Sequence, residues 1–107
     1  MRRFQINVER DSVCMGDDVD APHSYVFHLP FDASMYDVFE HLAKKRYLAY
    51  VAGKNHSWEA IIDFDAVAFF KGNAIMPEPS PRLQSSISNY ANNQSLNIRF
   101  KYNSSAT

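Results

Sequence analysis

The stretch that decides the fold is Val67-Ala-Phe-Phe-Lys-Gly-Asn-Ala-Ile-Met76, with Ser86-Ile-Ser-Asn-Tyr-Ala-Asn-Asn-Gln-Ser-Leu-Asn-Ile-Arg-Phe100 after it. The first segment begins as an apolar strand, reaches a turn at Gly72, and resumes as the short apolar segment 74–76. A polar stretch with one helical turn before Tyr90 then leads into residues 96–102, where apolar and polar side chains alternate. Such alternation predicts a closing strand with one buried face.

The N-terminal third predicts two antiparallel strands. Residues 4–9 alternate strictly, with Phe4, Ile6 and Val8 on one face, and residues 24–29 form a second apolar-rich run. The residues between them, 16–22, have the composition of a loop. Because Pro30 has no backbone N–H to donate, we expect the second strand to end there.

A single helix follows, and its period is the clearest in the chain. Asp32 or Ser34 can serve as its N-cap, Asp37 lies in the first turn, and basic residues occupy positions 44–46, as the helix dipole favours. The spacing of one apolar face is matched by Met35, Val38, Phe39, Leu42 and Ala43.

The end of this helix is open from sequence alone. Residues 47–52 either extend it to a cap at Gly53 or form a strand that pairs with residues 58–62 across a turn at 53–55. Two aromatic residues and a valine in this short run favour the strand.

The order of the predicted elements is a strand pair, a helix, further strands and a closing strand. This order resembles that of the ubiquitin-like β-grasp superfamily, an α+β fold in which a mixed sheet packs one face on a helix. The resemblance rests on segments 70–75 and 87–90 and covers residues 4–46 and 66–102. It implies four to five strands, parallel pairing of the first and last, and a Tyr90 hydroxyl that ties a loop to the backbone. We therefore predict one domain over residues 1–107, with an inserted hairpin within 47–65 and a flexible tail at 103–107.

Two departures from that family bear on function. Modifiers that are conjugated to other proteins, and the related sulfur carriers, end in Gly-Gly, whereas this chain ends Ser-Ser-Ala-Thr107. The apolar recognition patch of ubiquitin is also not reproduced, since the outward positions of the closing strand are Asn97, Arg99 and Lys101. We expect any binding surface of this protein to be its own.

Composition excludes several classes of function. The net charge of −1 gives no strong field for general nucleic-acid binding. Cys14 is the only cysteine, so neither an intramolecular disulfide nor a Cys-rich zinc site can form. No apolar run reaches the ~20 residues that span a bilayer, and the N-terminus lacks the long apolar run of a signal peptide. We expect a cytoplasmic protein that needs no cofactor.

Three candidate chemical sites can be named. Cys14 with a histidine would make a thiolate–imidazole pair, but its flanking residues indicate a partly buried strand. Asp17, Asp18, Asp20 and His23 form an acidic loop without the spacing of an EF-hand, which favours a solvated hairpin tip over a metal site.

His41 lies on the predicted helix and is not one of these candidates. We expect its side chain to face solvent.

The third candidate is the pair Asp63 and Asp65. On a strand the two would point the same way, as paired carboxylates do when they share a proton or a metal ion. They flank Phe64 at a junction between strands, however, where aspartate commonly serves turns. A small metal-dependent hydrolase built on this pair is therefore the alternative from the enzyme class.

The outer sheet face is the favoured site, and the alternative is that it is an ordinary solvated face. If the alternation holds, that face carries Gln5, Asn7, Val26, His28, Asn97, Arg99 and Lys101. We interpret it as a mildly basic docking surface, with Trp58 or Tyr50 as an aromatic anchor at its edge, although Trp58 taken alone is better explained as core. The predicted function is a non-enzymatic protein-binding module, an adaptor or small subunit. An inhibitor or immunity-type protein with one partner is the alternative within the binding class.

Overall fold

The described part of the chain forms a five-stranded sheet and one α-helix. A computed structural model describes residues 3–11, 23–48 and 56–103. The elements are β1 (Arg3–Arg10), β2 (Ser24–Pro30), α1 (Met35–Lys44), β3 (Ser57–Ile62), β4 (Asp65–Lys71) and β5 (Ser95–Asn103). Short 3₁₀ turns at Pro81–Gln84 and Ile87–Asn89 lie between β4 and β5. The α+β class predicted from the sequence is confirmed.

The sheet is mixed, and its strand order is β2-β1-β5-β3-β4. β1 and β5 pair in parallel, with Ile6 beside Leu96 and Val8 beside Ile98, while the other neighbours are antiparallel. All four of these side chains are buried. This arrangement is compatible with a β-grasp.

The helix α1 covers one face of the sheet. Ser34 is its N-cap and forms a capping box, in which its hydroxyl accepts from the Asp37 N–H and the Asp37 carboxylate accepts from the Ser34 N–H. Phe39 makes edge-on contacts with Phe70 and Phe100, at ring-centroid distances of 5.5 and 6.3 Å. Edge-to-face pairs at such distances add to the stabilisation from apolar burial.

The helix ends at Lys44, not at Gly53, because a Schellman motif closes it. The Tyr47 N–H donates to the carbonyl of Leu42 and the Arg46 N–H donates to that of Ala43. Arg46 takes the left-handed conformation (φ 51°) that glycine usually fills. Tyr47 is buried directly after it, so the side chain that follows the cap is anchored in the core.

The expectation of an inserted hairpin is wrong for residues 57–62. They form β3, which lies inside the sheet and pairs with β4 on one side and β5 on the other. Both hydrogen-bonding edges of β3 are therefore occupied. Residues 49–55 themselves lie outside the described part.

Two smaller expectations between β4 and β5 come out differently. The helical turn before Tyr90 is confirmed at Ile87–Asn89, but residues 74–76 after the turn at Gly72 form no strand. Within the described residues the Tyr90 hydroxyl makes no hydrogen bond. Tyr47 instead ties a loop to the backbone, since its hydroxyl donates to the His23 carbonyl. Burial raises the pKa of this phenol, which keeps it a donor.

Candidate functional site

The outer face of the sheet, opposite α1, carries the side chains that alternation assigned to it. Gln5 and Asn7 on β1 lie beside His28 and Val26 on β2, and Asn7 lies beside Asn97 on β5. All of these except the half-buried Asn7 are exposed, as are Arg99 and Lys101. The predicted membership of this face is confirmed.

A hydrogen-bonded row of polar side chains forms the centre of this face. The Asn7 amide donates to Asn97 Oδ1 at 2.9 Å and to Ser95 Oγ at 3.1 Å, while the Gln5 amide donates to Asn7 Oδ1 at 2.8 Å. Since each side chain orients the next, the row is held in one arrangement. A partner would therefore meet a pre-ordered polar surface.

The basic character expected of the face is offset at Arg99. The Arg99 guanidinium is bound to the Asp11 carboxylate at 2.9 Å, and the same carboxylate accepts from the Tyr102 N–H at 2.9 Å. Lys101 lies opposite Glu59 in the β3–β5 register. Both cations thus have an acidic neighbour, which the linear sequence did not indicate because these pairs join distant strands.

The proposed aromatic anchors do not lie on this face. Trp58 is 1% exposed and packs edge-on against Tyr102, with the ring centroids 5.2 Å apart. Trp58 points into the core, so this residue is part of the core and not an anchor at the edge of the face. Tyr50 lies outside the described residues.

Phe64, to which the sequence assigned no role, is the most exposed of the large apolar side chains in the described segments. Asp63 and Phe64 form a two-residue turn between β3 and β4, with φ of 50° and 71°. Positive φ at both positions is the signature of a type I′ turn. The Phe64 side chain is fully exposed. A bulky residue in this conformation is uncommon and strained.

A groove runs across the outer face beneath this hairpin tip. Its volume is about 540 Å³, and it spans β2, β1, β5 and the end of β3. Its lining includes Asn7, Val26, Ile61, Phe64, Asn97 and Arg99. The groove thus combines apolar side chains with the ordered polar row, as protein-binding surfaces do.

Asp63 and Asp65 lie at different positions of the β3–β4 hairpin. Asp63 occupies the first position of the turn, where aspartate tolerates a positive φ. The Asp65 carboxylate is bound to the Arg82 guanidinium at 2.8 Å, and both side chains are exposed. No hydrogen bond joins the two carboxyl groups in the described chain. Their positions are explained by the turn and by this surface ion pair.

The remaining polar candidates fall mostly outside the described segments. Cys14, Asp17, Asp18 and Asp20 are not described, and only His23 of the acidic loop is. Among residues 3–11, 23–48 and 56–103, no group of histidine, cysteine and carboxylate side chains has the geometry of a metal site. No helix within those segments is long and apolar enough to cross a membrane.

His41 is half-buried and does not face solvent freely as expected. Its ring stacks on Phe27 with the centroids 4.0 Å apart and the planes 5° apart, and its Nε2 lies 3.1 Å from the Tyr25 hydroxyl. Burial lowers the pKa of His41 from 6.5, and the nearby charges of Lys45 and Lys44 lower it further. The folded protein therefore favours the neutral imidazole.

We expect this stack to make stability depend on pH. Above a pH of about 6.5 the His41 imidazole is neutral in both the folded and the unfolded protein. Below that pH the unfolded chain binds the proton first, because the pKa of His41 is lowered in the folded protein. The free energy of unfolding therefore falls as the pH decreases, until the pKa of His41 in the folded protein is passed. Urea denaturation of the wild type and of His41→Phe across this range checks it. His28→Gln, at an exposed histidine, is the control and should keep the decline. An unchanged decline in His41→Phe would contradict the assignment.

Comparison with known proteins assigns no family. No family model matches the sequence, and no curated protein matches it significantly.

Proposed function

We propose that this protein is a non-enzymatic binding module of the ubiquitin-like β-grasp type, which contacts another protein through the outer face of its sheet. The fold assignment is supported by the strand order β2-β1-β5-β3-β4 and by the parallel β1–β5 pair near the centre. Modules of this kind act by contact, so the function must be argued from the surface and not from the fold.

The observation that carries the proposal is the exposed Phe64 at the rim of the outer groove. An aromatic side chain without burial contributes nothing to folding, and a positive φ at a non-glycine residue costs free energy. Aromatic residues are enriched among the side chains that dominate binding energy at interfaces. Val26 and Ile61 supply further apolar area within the same groove.

We expect Val26→Glu to abolish capture of a partner. Val26 is 52% exposed, so a charge there is tolerated by the fold, but an unpaired carboxylate buried under a partner is not. Affinity capture from the source lysate should lose the partner by at least about tenfold, which corresponds to about 1.4 kcal/mol.

Ile75→Glu is the matched control for this experiment. Ile75 is an aliphatic residue of similar exposure, 55%, and it does not line the groove. This variant should capture the partner as the wild type does, and circular dichroism should show all three proteins folded. Undiminished capture by folded Val26→Glu would contradict the outer face as the site. A tight complex with a single partner would indicate an inhibitor, whereas co-capture of several subunits would indicate an adaptor.

A further inference from the structure

The charged side chains that line the outer groove are mainly acidic. Three charged residues line it: Glu9, Asp63 and Arg99. The Arg99 guanidinium is already bound to the Asp11 carboxylate, 2.9 Å away, so its charge is largely compensated. The groove therefore presents two acidic side chains against one neutralised cation.

Neither of these two acidic side chains, Glu9 and Asp63, makes an ion pair or a hydrogen bond within the described chain. Glu9 lies beside Arg99 in the β1–β5 register, but the Arg99 guanidinium is bound to Asp11. Glu9 lies on β1 and Asp63 at the hairpin tip, so the carboxylates come from two elements of the same groove. Charges of one sign that converge on a concave surface raise the local concentration of ligands of the opposite sign.

We propose that the groove binds a basic segment of a partner protein, in which an apolar side chain is flanked by lysine or arginine. The apolar side chain would lie against Val26, Ile61 and Phe64, and the flanking cations would face Glu9 and Asp63. A cation over the exposed Phe64 ring would gain a further attraction. Phosphate-bearing ligands are disfavoured by the same two carboxylates. This inference rests on the proposed function and names the chemistry of the partner.

The experiment uses three matched peptides, each with a central leucine flanked by lysine, by serine or by glutamate. Each is titrated into the ¹⁵N-labelled protein, and amide chemical shifts are followed at low and at high salt. We expect the lysine-flanked peptide to shift the amides of Asn97, Val26 and Phe64, with binding that weakens as salt rises. The serine-flanked peptide should bind several-fold more weakly, and the glutamate-flanked peptide should produce no shifts.

A double variant, Glu9→Gln with Asp63→Asn, tests the two carboxylates directly. Asparagine also tolerates the left-handed conformation at position 63, so the turn is kept while the charge is removed. This variant should bind the lysine-flanked peptide about tenfold more weakly, a loss within the range expected for two exposed ion pairs. Asp32→Asn with Glu78→Gln changes the net charge equally at exposed positions that do not line the groove, and it should bind as the wild type does.

Several results would overturn the inference. Equal binding of the serine-flanked peptide, or undiminished binding by the Glu9→Gln, Asp63→Asn variant, would show that charge does not select the ligand. An absence of shifts with all three peptides would also overturn it. Shifts of the same amides that grow with protein concentration alone would assign the groove to a second copy of this chain. The Val26→Glu capture experiment has an independent readout, so the proposed function can survive each of the first three results.

Discussion

Replacement of Trp58 by alanine should lower the free energy of unfolding by about 3–5 kcal/mol, the range found when a large buried aromatic is truncated in a core. Trp58 is 1% exposed and lies on β3, with strands paired on both sides. The cavity cannot collapse easily, because the neighbouring backbones are held by two hydrogen-bonded ladders. Urea denaturation followed by far-ultraviolet circular dichroism measures the loss, since this substitution removes the only tryptophan.

Phe69→Ala is the matched control for Trp58→Ala. Phe69 lies on the adjacent strand β4 with its side chain 44% exposed, so its truncation should cost much less. If Trp58→Ala instead left stability within ~1 kcal/mol of the wild type but reduced partner capture, Trp58 would be the surface anchor first considered. The structure predicts the opposite pattern.

Phe64→Gly should separate folding from binding. Glycine adopts a positive φ without the steric penalty of a side chain, so the change relieves strain at the second turn position and removes no buried area. The free energy of unfolding should rise by up to about 1 kcal/mol. The relief of strain is partly offset by the greater conformational freedom of glycine in the unfolded chain. Partner binding should weaken by about 2 kcal/mol or more, roughly 30-fold, as for other aromatic hot spots.

Gln94→Gly is the control for this separation. Asn93 and Gln94 precede β5 in a second turn with two positive φ values, 53° and 67°, and the backbone carbonyl of Gln94, which accepts from the Gln5 N–H, is kept in the variant. This substitution should raise stability similarly and leave binding unchanged, because Gln94 does not line the groove. A folded Phe64→Gly protein that binds the captured partner as tightly as the wild type would remove Phe64 from the site.

Much of the fold was predictable because it follows from short-range patterns. Strict alternation in β1 and β5 assigned inner and outer faces correctly, and the apolar period of α1 identified Met35, Val38, Phe39 and Leu42 as buried. Ser34 and Pro30 bounded their elements as their backbone chemistry requires. In each case the signal and its consequence lie within a few residues of each other.

The candidate site was predictable only in part. Alternation placed Asn97, Arg99, Lys101 and His28 on the outer face, but it could not show that Asp11 neutralises Arg99 from the end of β1. Phe64 lies at the rim of a groove that four strands form, so no local sequence pattern points to this site. The one available signal was the spacing of Asp63-Phe64-Asp65 between two apolar runs, which is that of a two-residue hairpin loop.

The sequence by itself determined the class of the fold, the presence of the helix and the inner and outer faces of β1 and β5. Only the tertiary structure decided where the helix ends, that β3 lies inside the sheet, and which aromatic side chain is most exposed. The physical reason is the same in each case. The turns between the elements contain residues other than glycine with positive φ, namely Arg46, Asp63, Phe64, Asn93 and Gln94. Packing and strand pairing between residues distant in sequence hold these turns in place.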